Sequence, residues 1–182
     1  MKCTSADAEK RAVFAVADLM TAAARTAPKG CGVDNIEVVI LDGAEKDRLS
    51  DEMKKIAKET GAQFFNRDGA NVDNSHCIVL IGIKDNPLGL ESCGNCGFEN
   101  CGSMKKAGAN CTFNITDLGI AVGSAVSLAA DNRIDNRVLY SAGKAAVAAN
   151  IFSKEVKVAY GIPLSTSSKS IFFDREPGCV LV

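Results

Sequence analysis

The sequence predicts one domain of mixed helices and strands with a cysteine-rich insertion near its middle. Three observations lead there. Several segments repeat apolar residues at helical spacing. Three short runs are apolar and rich in β-branched residues, as strands are. Between the second of these runs and the next helical segment lies ESCGNCGFENCGSMKKAGANC, residues 91–111, which holds four of the chain's eight cysteines. A length of 182 residues fits a single domain, 1–182, with a sizeable core. The insertion occupies residues 84–112 within it.

The elements follow in order. Residues 7–24 place Val13, Val16, Ala17, Met20, Ala23 and Ala24 on one apolar face, which is a helix. Pro28 and Gly30 end it in a loop, 24–32, that carries Arg25, Lys29 and Cys31. Residues 36–41, IEVVIL, read as a strand closed by Asp42–Gly43. Leu49, Met53, Ile56 and Ala57 mark a second helix that stops near Gly61. Residues 64–72 show turn signals at Asn66 and at Asp68–Gly69. Residues 77–83, CIVLIGI, are almost continuously apolar, as a strand buried on both faces would be. After the insertion, 117–131 is a helix striped with Leu118, Ala121, Val122, Ala125, Leu128 and Ala129, with Thr116 or Asp117 as its N-cap. Gly119, Gly123 and Ser124 would let another backbone or a flat ligand come close. An Ala-rich helix, 141–152, capped by Ser141, and a third strand, 154–160, follow. The Ser-rich tail 161–182 is expected to lie over the core as an extended arm.

Lys and Arg number 21 against 22 Asp and Glu, a formal net charge of −1. This balance gives no electrostatic reason to expect nucleic acid or an anionic membrane as partner. The polar opening, residues 1–11, lacks the apolar run of a signal peptide. No apolar stretch approaches the ~20 residues of a membrane span. A cytoplasmic location follows as the expectation. In that reducing compartment, eight cysteines point to metal or redox chemistry rather than disulfides.

Cys93, Cys96, Cys101 and Cys111 are spaced C-x2-C-x4-C-x9-C. Four soft thiolate donors this close together suit a sulfur-ligated metal centre. An iron–sulfur cluster takes a compact run of cysteines plus one farther along. Zinc sites more often pair two C-x2-C knuckles, and a set of reactive thiols without metal is the third alternative. Gly94, Gly97 and Gly102 would let backbone N–H groups face inorganic sulfide.

The run Cys93-Gly94-Asn95-Cys96-Gly97-Phe98-Glu99-Asn100-Cys101, with Cys111 after it, resembles the four-iron domain of electron-transport-complex iron–sulfur subunits and of corrinoid iron–sulfur proteins. That resemblance implies a [4Fe–4S] cluster on these four cysteines. The whole chain resembles the DUF2148 family of prokaryotic ferredoxin-domain proteins, through residues 23–37, 93–101, 116–146 and 161–175. A further resemblance is to the nitroreductase fold. It is carried by the AA-x-x-AP loop at residues 23–28, the D-x-G-x-A…L-A-A helix at 117–130, and the G-x-P turn leading to Arg175. It implies an α+β fold, a nitroreductase-like three-layer core of a small sheet flanked by helices. It also leaves room for homodimerisation and a flavin (FMN) site. Arg25, Lys29 and Arg175 are the candidates for holding the flavin or another phosphate, since Arg forks around such groups. Solvated charge is their plain alternative.

Single-electron transfer to a protein redox partner is the expected function. A flavin-dependent reductase with the cluster as relay and a zinc-stabilised binding protein are the alternatives. His76, the sole histidine, is expected to pack or hydrogen-bond at a strand edge. Cys77 is expected in the core, Cys3 and Cys179 as free thiols near the termini, and Cys31 as a packing residue or a thiol influenced by Arg25 and Lys29. The loop at 165–169, STSSK, lacks the P-loop arrangement and reads as turn chemistry. Lys105 and Lys106 could offset cluster charge or guide an acidic partner.

Overall fold

The computed structural model describes residues 2–173. In chain order it contains α1 (Ser5–Thr26), β1 (Ile36–Asp42), α2 (Gly43–Thr60), α3 (Phe64–Asp73), β2 (Cys77–Lys84), α4 (Cys101–Lys106), α5 (Thr112–Asp131), β3 (Asp135–Asn136), α6 (Tyr140–Ala148) and β4 (Val156–Ser165). The strands form one antiparallel sheet in the order β1-β2-β4-β3.

Strand β2 is the centre. Successive side chains of a strand point to opposite faces, and both faces of this one are covered. Cys77, Val79, Ile81 and Ile83 join the core beneath α1 and α5, while Ile78 and Leu80 join a second core beneath α2, α3 and α6. The result is the α+β, three-layer core expected, helices on both sides of a small sheet. The antiparallel sheet reaches double coverage because β1 and β4 flank β2 and helices pack on each face.

Helix α1 starts with a capping box. The Thr4 side chain accepts from the Asp7 N–H at 3.2 Å, and the Asp7 carboxylate accepts from the Thr4 N–H at 3.3 Å. Lys29 closes the other end, donating to the carbonyls of Ala24, Arg25 and Ala27 at 3.1, 2.6 and 2.8 Å. Lys46 does the same for α3, donating to Val72 and Asp73 carbonyls at 2.9 Å each.

Four local expectations differ from the structure. Residues 64–72, read for their turn signals, are helical. Asp68 and Gly69 serve tertiary contacts instead: Asp68 accepts the buried Ser141 hydroxyl at 2.6 Å and is paired with Arg67 at 2.8 Å. Gly69 lets α2 approach, where Ser50 donates to its carbonyl at 3.0 Å. Helix α5 begins at Thr112, with Cys111 as N-cap rather than Thr116 or Asp117. Asp117 caps a different element: its buried carboxylate accepts the Gly30 N–H at 3.0 and 3.1 Å, fixing the short 3-10 turn Gly30–Gly32. Ser141 likewise lies inside α6, whose N-cap is Leu139. The start of the tail is not an arm. Gly161 to Ser165 complete β4, which pairs with β2 and β3. Arg175 and Cys179 lie outside the described residues.

Contrary to the expectation that no stretch approaches the length of a membrane span, helix α5 is long and apolar enough to cross a membrane by length and composition. It packs against α1 instead and buries Asn114 and Asp117 along with Leu118, Ala121, Val122, Ala125 and Ala129.

Candidate metal centre

The insertion leaves the sheet at the end of β2 and returns at the start of α5. Its base is clamped by polar contacts. The Asp85 N–H donates to the Glu155 carbonyl at 2.9 Å. The side chains of Asn35 and Asn86 interlock: Asn86 Nδ2 donates to Asn35 Oδ1 at 3.0 Å, and Asn35 Nδ2 donates to the Asn86 carbonyl at 3.3 Å. Asn114 Nδ2 donates to the Lys84 carbonyl at 3.1 Å and so joins the two ends of the insertion. Lys157 reaches from β4 to the Gly108 and Ala109 carbonyls at 2.9 and 3.1 Å, and its ammonium lies 3.7 Å from Asp85.

Within that frame the chain curls around a cavity of about 390 Å³. Cys93, Cys96, Cys101 and Cys111 all border it. Gly94 (φ 59°) and Gly97 (φ 82°) take left-handed conformations around Cys96, and the Gly97 N–H closes a turn onto the Gly94 carbonyl at 2.9 Å. Other residues pay a steric cost there. Gly102 has a different use, since a Cβ would stand 3.1 Å from Asn100 Oδ1. That oxygen caps α4 by accepting the Ser103 N–H at 2.9 Å, which sets Cys101 at the helix start. Met104 is fully buried and anchors α4. Cys111 is itself the N-cap of the 20-residue α5, where the helix macrodipole favours negative charge. Leu90, Phe98, Met104 and Phe113 give the cavity an apolar lining, and Glu91 and Glu99 stand at its exposed edge.

The four cysteines border one space. Among the described residues, no group of three or more Cys, His, Asp or Glu side chains converges to hold a single metal ion. The cavity is many times the ~10–15 Å³ that admits one water, far more than one ion fills. Four thiols, an apolar lining and this volume fit an iron–sulfur cluster. Cys93, Cys96, Cys101 and Cys111 would hold it, and it would supply one-electron redox chemistry.

The other candidate residues lie elsewhere. Arg25 is hydrogen-bonded to Asp34 and also donates to the Ile36 carbonyl at 3.3 Å. Lys29 is buried against the C-terminus of α1. Burial pushes the Asp34 carboxyl up, but the hydrogen bonds from Arg25 and the Ile36 N–H, with the charges of Arg25 and Lys29, outweigh it and hold the group below the usual carboxylate range. Cys31 is exposed on the 3-10 turn, so it is not a packing residue. Cys77 is fully buried, and burial, followed by Asp42 and Asp18, pushes its thiol up to about 12. His76 Nε2 lies 3.4 Å from the Thr166 hydroxyl, and the His76 backbone N–H donates to the Leu164 carbonyl at 2.9 Å. The site residues that sequence reasoning missed are Asn114 and Lys157. Asn114 was legible in one respect: it lies three residues before Asp117 and four before Leu118, on the same buried helical face.

Two sequence comparisons bear on this chain. An uncharacterized protein of Archaeoglobus fulgidus is 42% identical over 180 residues, spanning 94% of this chain and 96% of that one. Residues 107–175 match the family model described as uncharacterized protein containing a ferredoxin domain, DUF2148. This chain belongs to the DUF2148 family. Its members' ferredoxin domain suggests an iron–sulfur cluster. The fold of this DUF2148 protein is nitroreductase-like. A nitroreductase of Desulfitobacterium hafniense with bound FMN is similar to it with a TM-score of 0.56 at 13% identity, over 100% of this chain and 89% of the other. An FMN-dependent nitroreductase of Mycobacterium smegmatis, in complex with NADPH, gives 0.54 at 13% identity over 85% and 78%.

Proposed function

We propose that this DUF2148 protein is a single-electron carrier. Cys93, Cys96, Cys101 and Cys111 hold one cluster, of the [4Fe–4S] type, which exchanges electrons with a protein redox partner. One observation carries the reading: four thiols from the 93–101 loop, the start of α4 and the N-cap of α5 border a single cavity. The chain's own work is to fix those thiols on a rigid base, to surround the cluster with Leu90, Phe98, Met104 and Phe113, and to leave one side near the surface. Lys105 and Lys106, exposed on the last turn of α4, lie where an acidic partner would approach. A cytoplasmic location belongs to the same reading, because thiols stay reduced there.

Protein purified without oxygen tests this. Iron and acid-labile sulfide in equal amounts, with visible absorbance bleached by dithionite, is the expected result. Colourless protein holding one zinc, or no metal, would refute it.

A second reading is a flavin-dependent reductase with the cluster as relay. The FMN held by neighbours of the same fold favours it. Arg25 and Lys29 would have to exchange Asp34 and the α1 carbonyls for a flavin phosphate. Flavin released when the same sample is denatured would establish this reading. Homodimerisation goes with it, through the outer faces of α1 and α5, where Leu19 and Ile120 are exposed. Sedimentation of the holoprotein reads the oligomeric state directly.

A further inference from the structure

Asn114 is only 3% exposed, and its Oδ1 has no hydrogen-bond partner among the described residues. Its Nδ2 is committed to the Lys84 carbonyl. An unpaired buried carbonyl oxygen is costly, because it loses its bond to water and gains none, so this position calls for an occupant. The void beside it measures about 10 Å³ and is bordered by Lys84, Asp85, Asn110, Cys111, Asn114 and Lys157, among others. That is close to the smallest space, ~10–15 Å³, that admits one water. Cys111 borders this void on one side and the large thiol-lined cavity on the other. Lys84, Asp85 and Lys157 also line an open polar groove of about 660 Å³, which gives solvent a route in.

We propose that Asn114 holds one buried water in this void, and that the water places a hydrogen bond on the sulfur of Cys111. The water donates one hydrogen to Asn114 Oδ1 and the other to the sulfur. Asn114 is thus a positioning residue: it touches no metal, yet it sets the electronic environment of the ligand farthest along the chain. Hydrogen bonds to cluster sulfurs stabilise the more negative, reduced state and raise the potential. This inference rests on the cluster reading above.

The test uses the anaerobic holoprotein, wild type and Asn114→Leu. Leucine fills the void and removes the oxygen, and it also removes the Nδ2 bond to the Lys84 carbonyl, so the exchangeable proton is the readout that a purely structural role would not move. Wild type should show a solvent-exchangeable proton coupled to the reduced cluster in H2O-versus-D2O hyperfine spectra, and Asn114→Leu should lack it. The one-electron reduction equilibrium should fall about tenfold, or about 59 mV. Should the variant fail to hold a cluster, a wild-type crystal structure decides, with a water expected within hydrogen-bond distance of both Asn114 Oδ1 and Cys111 Sγ. Wild type that holds iron and sulfide but shows no such water, or an Asn114→Leu protein with unchanged potential and proton coupling, overturns this inference alone. Wild type without iron or sulfide overturns the electron-carrier reading and this inference with it.

Discussion

Substituting Gly143 by Ala should separate a helix from the sheet. A Cβ at Gly143 would lie 1.9 Å from the Ala159 carbonyl oxygen, 2.3 Å from its carbon and 2.6 Å from the Tyr160 nitrogen. All three are backbone atoms of β4, so no side chain can rotate away. Relieving the clash requires α6 to withdraw by roughly 1 Å. A gap of that size forfeits a quarter to a half of each van der Waals well along the contact. The loss falls on Ala142, Ala145 and Ala146, which are fully buried. The expected cost is about 3 kcal/mol, at the upper end for overpacking, which lowers Tm by about 6–12 °C for a domain of this size. Gly119→Ala and Gly123→Ala on α5 are the controls, because a Cβ meets nothing within 4 Å at either. Each should gain about 0.4–1 kcal/mol through helix propensity and a less flexible unfolded chain. Thermal and urea melts of the three variants provide the measurement. A Gly143→Ala protein as stable as wild type would refute the close packing of α6 on β4. Loss of stability in both controls would mean that another body covers that face of α5.

Three further outcomes are expected. Cys77 ionises near pH 9 when unfolded but only at about 12 in the fold, so its stabilisation is complete below pH 9 and is lost as pH rises from 9 to 12; at ~1.36 kcal/mol per unit this amounts to about 4 kcal/mol, and stability curves for Cys77→Ala should fall less steeply over that window than those of wild type. Replacing Cys111 by Ala should lower iron content and strip the visible spectrum, whereas Cys31→Ala, at an exposed thiol that does not border the cavity, should leave both unchanged. Lys157→Met should remove the ammonium from the Gly108 and Ala109 carbonyls at about 1 kcal/mol, seen as faster hydrogen exchange across residues 100–111 and a shorter cluster lifetime in air.

The strands and long helices were legible because burial sets their periodicity. Residues 36–41 and 77–83 and the stripe of α1 each satisfy one simple pattern, and one force dominates each. The misreadings share another cause. Asp68, Gly69, Asp117 and Ser141 are residues whose local meaning is a turn or a cap, and each makes its decisive contact far along the chain. Asp117 accepts from Gly30, and Ser141 donates to Asp68. Local propensity is worth a few tenths of a kcal/mol to about one, while a buried polar contact left unmade costs more. Tertiary demand therefore wins at those positions, and a single sequence does not reveal it.

That Cys93, Cys96, Cys101 and Cys111 belong together was legible for a different reason: metal chemistry restricts residue type so strongly that spacing marks them as a set, and all four border one cavity. What spacing leaves out is the means by which Cys111, ten residues past Cys101, comes back to the same cavity. That depends on the base of the insertion, where Asn114 reaches the Lys84 carbonyl and Lys157 reaches the Gly108 and Ala109 carbonyls. Neither residue has a spacing signature, since each acts on backbone carbonyls that every sequence possesses. The ligands of such a site are written in residue identity, and the frame that gathers them is written in burial. On the cluster reading proposed above, Asn114 and Lys157 are therefore where potential and cluster lifetime would change while every cysteine stays in place.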